Sequence, residues 1–385
     1  TQPPRLLVRP QPAGRCAMSQ TSVSAATGFA ALAGHFVLQP GQPGAIVGTR
    51  PIAAAGLLSQ LLKGQHFAGA QARLGHVFTL CAHAHQRACA LAFATARATQ
   101  DIAPLPLALL RWETVRDHLR SIALEWPQRL GEPSLQTAAM EWLRTCPLPM
   151  TGTRQPAVPA VWASLAALRD WLAEDACFPA QCLARWHAKG KDLVVPLRAF
   201  HVLSDDAATQ QRRLHQLGQA IASDPGFTQH PQWLGACAES GPWTRLRPAH
   251  QPTSALPASA WTRLEARWQE LQDIAAAPRL PDDATHDPLL SSGALNLGAG
   301  QAIAWCEMAR GLLLHWVQLD SLGAVAQYRV LAPTEWNFHP QGALALALAA
   351  RAPQDVAAAQ TLAAAFDPCV ACNVATPPIT EPSHA

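Results

Sequence analysis

Near the end of the chain an Ala-rich, helix-forming run gives way to Asp367-Pro368-Cys369-Val370-Ala371-Cys372. Pro368 fixes its own φ and has no backbone N–H to donate, so the run is expected to stop in a rigid turn. The turn presents two thiols three residues apart. Thiolates so arranged chelate a soft metal ion, and the same spacing serves zinc sites, redox turns and incidental pairs. A second sulfur site lies far upstream, in Cys81-Ala-His-Ala-His85. If both sulfurs serve one ion, the fold must bring the early segment to the tail.

Composition narrows the partners. The 385 residues are 49% apolar, enough for a large core and for two or three folding units. Charged residues are only 14%, against about 25% in an average protein, so some of the sparsely charged surface is expected to contact other proteins. The net charge of +3 is spread along the chain, and no Lys/Arg run suggests a nucleic-acid track. Thr1 to Gly14 has no apolar core of a secretory signal, and no segment has the ~20 apolar residues of a membrane span. The ten cysteines are irregularly spaced. Reduced thiols in a cytoplasmic protein are expected, not a disulfide framework.

The periodicity divides the chain into a Pro/Gly-rich segment, 1–50, and one large domain, 51–385. Leu6-Leu7-Val8 and Phe36-Val37-Leu38 read as short strands. Leu57, Leu58, Leu61 and Leu62 have helical spacing. Ala70 to Ala98 reads as a loop and then a long helix carrying Cys81 and His85. An amphipathic helix follows from Leu107 to Leu124, with Trp112, Val115, Leu119 and Ile122 on one face, ended by Pro127 to Glu132. The two helices are expected to pack together. Further helices are predicted at 134–145, 159–174, 178–188, 206–222 and 258–275, with irregular chain over 223–257. Ala302–Ala309, Leu312–Leu319 and Val325–Leu331 alternate as a β-meander, and helices return at 342–351 and 356–366. The fold class is α+β, mostly helical, with a small late meander. Cys177 and Cys182 flank a Phe-Pro turn and read as a second metal pair or as two free thiols.

These segments, in their order, resemble the large subunit of nickel-iron hydrogenases, and more closely the shortened large-subunit paralogues of the HupK/HoxV type. Phe366-Asp-Pro-Cys-Val-Ala-Cys372 is similar to the C-terminal cysteine motif. Glu307-Met-Ala-Arg-Gly311 with His315-Trp316 looks like the Arg-Gly hairpin. Tyr328-Arg-Val-Leu-Ala-Pro-Thr-Glu-Trp-Asn337 looks like the Pro-Thr-Thr-Trp-Asn segment, and Leu80-Cys-Ala-His-Ala-His85 like half of the N-terminal motif. The resemblance covers about 50–125 and 295–375, with a divergent middle at 134–290. Three departures stand out. Phe78 occupies the position of the first N-terminal cysteine. Ala375 replaces the family's His or Arg before its cleavable tail. The Glu-Gly-His segment is missing.

The resemblance implies a metal set of Cys81, Cys369 and Cys372. In the family two cysteines bridge nickel and iron, at the positions of Cys81 and Cys372, and two bind nickel alone, at those of Phe78 and Cys369. A phenyl ring is no ligand, so iron carrying cyanide and carbonyl is expected as a transient cofactor and nickel is not. Arg310 and Thr334 are expected to contact the cyanides, His85 to donate to a cysteine sulfur, and Asp367 to order the turn by accepting backbone N–H groups. The expected role is a non-catalytic scaffold in hydrogenase maturation. It would take the iron fragment from a maturation complex and pass it to the hydrogenase large subunit. The alternatives are a degenerate subunit acting in hydrogen oxidation and a metal-free chaperone.

Overall fold

The structure is a computed structural model that describes residues 34–51, 56–150, 156–174, 177–196, 203, 206–246 and 258–375. Leu6-Leu7-Val8 and Cys16 lie outside the described residues. The described residues begin with strands β1 (His35–Leu38) and β2 (Ile46–Thr49). Helices α1 (Leu57–Leu62), α2 (Phe67–Val77), α3 (Ala82–Ala96) and α4 (Leu107–Arg120) follow. A π-helical turn, Ser121–Glu125, leads into α5 (Trp126–Leu130), then α6 (Pro133–Thr145), α7 (Val158–Glu174), α8 (Cys177–Gly190), α9 (Ala207–Ser223), α10 (Pro242–Leu246) and α11 (Ala260–Ala276). Strands β3 (Ser292–Gly298), β4 (Gln301–Met308), β5 (Gly311–Leu319) and β6 (Val325–Leu331) form the meander. The last elements are α12 (Pro333–Asn337), α13 (Ala343–Ala349), α14 (Val356–Phe366) and β7 (Ala371–Val374).

Two sheets organise the chain ends. β3 to β6 form a four-stranded antiparallel sheet in sequence order. The meander thus has one more strand than the alternation predicts. β3 escapes because Ser-Gly-Ala-Leu-Asn-Leu-Gly is bounded by glycines and only partly buried, with just Leu295 and Leu297 turned to the second apolar cluster. The interior strands are buried on both sides: α3 packs on the sheet, and Leu214, Leu217 and Ile221 of α9 join Trp305, Leu314 and Trp316 in a second apolar cluster. The second sheet has the order β2-β1-β7, with Phe36 of β1 paired in parallel with Cys372 of β7. The segment 35–49 is therefore tied to the tail.

Helix α4 differs from the one-faced helix predicted. Leu107 through Val115 are all buried, as are Asp117, His118 and Leu119. Its buried charged residues are paired, which offsets the cost of taking them out of water. Arg111 grips Asp287 through two bonds of 2.7 and 2.8 Å, and His118 bonds Glu270 at 2.7 Å. Pro127 does not stop the helix either: the π turn widens the coil, and Pro127 then sits in the first turn of α5, where no N–H is needed.

Candidate functional site at the cysteine turn

Cys81 lies just before α3, not within it. It has φ −127° and ψ 38°, and its N–H donates to the Phe78 carbonyl at 3.3 Å. What fixes this turn is Glu113 of α4. Its carboxylate accepts the N–H groups of His83 and Ala84 at 2.8 and 2.9 Å, and it bonds His83 Nδ1 at 3.1 Å. The first turn of a helix leaves such donors unpaired and carries partial positive charge, so a carboxylate there is favoured twice over. The predicted contact between these two helices is made at this point.

At the other end, α14 stops at Asp367, which adopts left-handed geometry at φ 44°. Asp tolerates this conformation better than most residues. Its buried carboxylate meets Arg267 at 2.8 Å and Arg310 Nε at 3.2 Å, and accepts the Ser121 hydroxyl at 3.0 Å. Burial alone would raise its pKa, but Arg267, Arg310 and Arg129 hold it well below the usual carboxylate range. The turn is thus ordered by guanidinium groups and a hydroxyl at the π turn, in place of the predicted backbone donors.

Arg310 sits on the β4–β5 hairpin. Gly311 beside it has φ +133°, and a Cβ there would lie 2.8 Å from the Ser240 backbone, so only glycine fits. Arg310 Nε donates to the Asp367 carbonyl at 3.1 Å, and Nη1 pairs with Asp117 of α4. Nη2 is buried and has no hydrogen-bond partner among the described residues. Arg50, which follows β2, pairs with Glu335 at 2.7 Å. Burial pulls the Arg50 pKa down, but Cys369, Glu335 and Cys81 together raise it above its ordinary value.

These charges share their neighbourhood with two sulfurs. Burial pushes the Cys81 thiol well above its ordinary pKa; Glu113, Cys369 and Asp117 push it further, and Arg310 opposes them. Cys369 Sγ is 3.2 Å from Thr334 Oγ1, so the threonine hydroxyl reaches sulfur. Cys372 has a different setting. It is half-buried in β7, and burial raises its thiol to about 11 against the pull of Arg129. The structure therefore places Cys369 among the electrostatic neighbours of Cys81 and sets Cys372 against Arg129. The cause is the β1–β7 pairing, which draws the chain from Ala371 onward into an extended strand. Among the described residues, no three Cys, His, Asp or Glu side chains are grouped to hold a metal ion.

His85 takes a partner other than the predicted sulfur. Its Nδ1 lies 3.0 Å from His315 Nε2, and His315 Nδ1 lies 2.7 Å from the Tyr328 hydroxyl. Its ring stacks on Phe78. Burial, His315 and Arg50 lower its pKa well below the ordinary imidazole value. Cys177 is exposed and Cys182 fully buried; five residues apart on α8, they project from different sides of the helix. The sequence reading missed Arg50, Glu113, Asp117 and Glu335. A signal for two of them was present: Glu113 and Asp117 are acids one helical turn apart in a helix whose first turn is entirely apolar.

The hairpin, the Pro-Thr-Glu-Trp helix and the cysteine turn meet through Arg310, Asp367, Thr334 and Cys369, and residues 259–375 match the family model described as nickel-dependent hydrogenase. Solved [NiFeSe] hydrogenase variants from Desulfovibrio vulgaris Hildenborough share the fold, with TM-scores of 0.54 and 0.52 at 15% and 14% identity, over 84% of this chain and 92% of theirs. Among relatives, the hydrogenase expression/formation protein HoxV of Cupriavidus necator is 36% identical over 370 residues, 88% of this chain and 94% of its own. HupV of Azotobacter chroococcum is 32% identical, over 84% of this chain and 92% of its own. The chain belongs to this family of hydrogenase expression/formation proteins.

Proposed function

We propose that this chain is a non-catalytic accessory protein of hydrogenase maturation that holds iron bearing two cyanides and one carbonyl as cargo. It receives the fragment from a maturation complex and passes it to a hydrogenase large subunit. The names of its relatives, hydrogenase expression/formation proteins, support the accessory role.

The observation that carries the cargo reading is Arg310 Nη2, a buried charged donor with no hydrogen-bond partner among the described residues. Such a donor costs free energy unless something accepts its proton. A cyanide nitrogen is an acceptor of matching charge. Cys81 supplies one sulfur, with Cys369 and Cys372 from the turn. Arg50 adds a second buried cation that offsets the charge of thiolates and cyanides.

Nickel is not part of this reading, since the position of one family nickel ligand is Phe78. One observation favours the metal-free chaperone as a second reading: no three-donor group is assembled among the described residues. Metal analysis separates the two. Protein purified anaerobically from cells making the maturation machinery should carry stoichiometric iron without nickel. Metal-free protein that still supports hydrogenase formation, with Cys81→Ser equally active, establishes the chaperone instead.

A further inference from the structure

On the far side of the cysteine turn lies an open cavity of about 510 Å³ lined by Arg120, Glu125, Arg129, Cys369, Cys372 and Asn373, among others. We infer that this cavity is an anion port through which a small metal–cyanide anion reaches the cysteine turn. The choice of anion rests on the cargo proposed above.

The charges support a port. Arg120 donates to Glu125 at 2.8 and 3.0 Å. Arg129 approaches the same carboxylate only to 3.8 Å, beyond hydrogen-bond range. Among the residues lining the cavity two guanidinium groups thus face one carboxylate, and the lining keeps a net positive charge; the buried Asp367 behind it is met by Arg267 and Arg310 as well as by the Arg129 charge. All three side chains are partly exposed, at 30%, 22% and 18% for Arg120, Arg129 and Glu125, so they contact both solvent and an entering ligand. The volume falls in the range of small-molecule sites. Both turn cysteines are among its lining residues. Cys372 is acted on by Arg129, and Cys369 also touches Thr334 on the inner side. The turn is thus the wall between the cavity and the Cys81–Arg310 neighbourhood, and an anion drawn in by Arg129 meets Cys372 before Cys81.

The test uses hexacyanoferrate(II), an exchange-inert iron–cyanide anion, on the full chain. Alkylation by iodoacetamide is followed by peptide mass spectrometry at Cys372, with the exposed Cys177 as internal reference. Hexacyanoferrate should slow Cys372 alkylation, chloride of matched ionic strength should not, and Cys177 should react alike in both. Replacing both arginines by Gln (Arg120→Gln with Arg129→Gln) should raise the half-protecting concentration at least about tenfold, while Arg129→Lys keeps most of the protection. Equal protection in wild type and the double variant, or none in wild type, overturns the port. The two proposals fail separately. Protein with bound iron but no hexacyanoferrate protection has lost only the port. Protection in protein that never carries iron leaves the anion site and removes its assigned ligand.

Discussion

Phe78 lies flat on His85, with ring centroids 3.7 Å apart and planes 1° from parallel. The phenyl ring does not merely leave out a thiolate; it packs against the imidazole and is itself 8% exposed. His85 continues into His315 and Tyr328. The residue that the family resemblance assigns to nickel has become part of an apolar and aromatic support beneath α3.

Phe78→Cys should therefore trade stability for metal. Losing most of a buried phenyl costs about 2–4 kcal/mol, read as a lower urea midpoint. The variant should bind nickel measurably better than wild type in equilibrium dialysis. Unchanged nickel affinity would show that one missing sulfur is not what excludes the metal.

Glu113→Gln should act on Cys81 through charge and through the helix start. Glu113 helps raise the Cys81 pKa and accepts two N–H groups of α3. Removing its charge lowers that pKa, so alkylation of Cys81 at pH 8 should speed up. Weakening the cap should cost about 1 kcal/mol. Slower alkylation would contradict the electrostatic role.

Asp117→Ala leaves Arg310 short of one of its two carboxylate partners. Breaking a buried pair by removing one partner costs about 3–5 kcal/mol, so a large drop in thermal midpoint is expected. Arg310→Lys is the gentler probe. It keeps the charge and loses the fork, and should retain the fold but bind less iron. Iron retention at the wild-type level in Arg310→Lys would remove the guanidinium from the site.

Stability should depend on pH through the buried imidazoles. Burial draws His315 down to about 3, and His85 also lies well below its ordinary value. Imidazoles in the unfolded chain titrate near ~6.5. Their folded pKa values are lower, so this contribution is complete above about 6.5 and is lost as pH falls from there toward 3. Urea midpoints should drop between pH 7 and pH 5, a window above the titration of Asp367, with Glu307, raised to about 7 by burial, acting in the opposite direction in both proteins. The drop should be smaller in His315→Gln, and an equal drop in both proteins would contradict the assignment.

Much of this architecture is written locally. Val356 to Phe366 is helical at the predicted limits, since its Ala-rich run is bounded by Asp355, whose side chain caps it, and by Pro368. The meander strands and the helices at 133–145 and 158–174 follow from period and punctuation in the same way. Other features depend on distant partners. Ile46–Thr49 becomes a strand only because β1 runs beside it. Cys372 is set in a strand within reach of the Arg129 charge by a pairing between chain ends that no local pattern announces. Arg50 has no motif around it, and its role appears only when β2 brings it to Glu335. Arg310 and Thr334 are legible through ordered motifs, but that the Thr334 hydroxyl reaches the Cys369 sulfur at 3.2 Å depends on how the distant turn folds back.

Infrared spectroscopy of protein isolated with its maturation partners tests the central proposal most directly. Wild type should show the absorptions of metal-bound cyanide and carbonyl, and Cys81→Ser, folded to the same degree, should lose them. A wild-type spectrum without those bands, from protein whose cysteines are intact and reduced, would contradict the account.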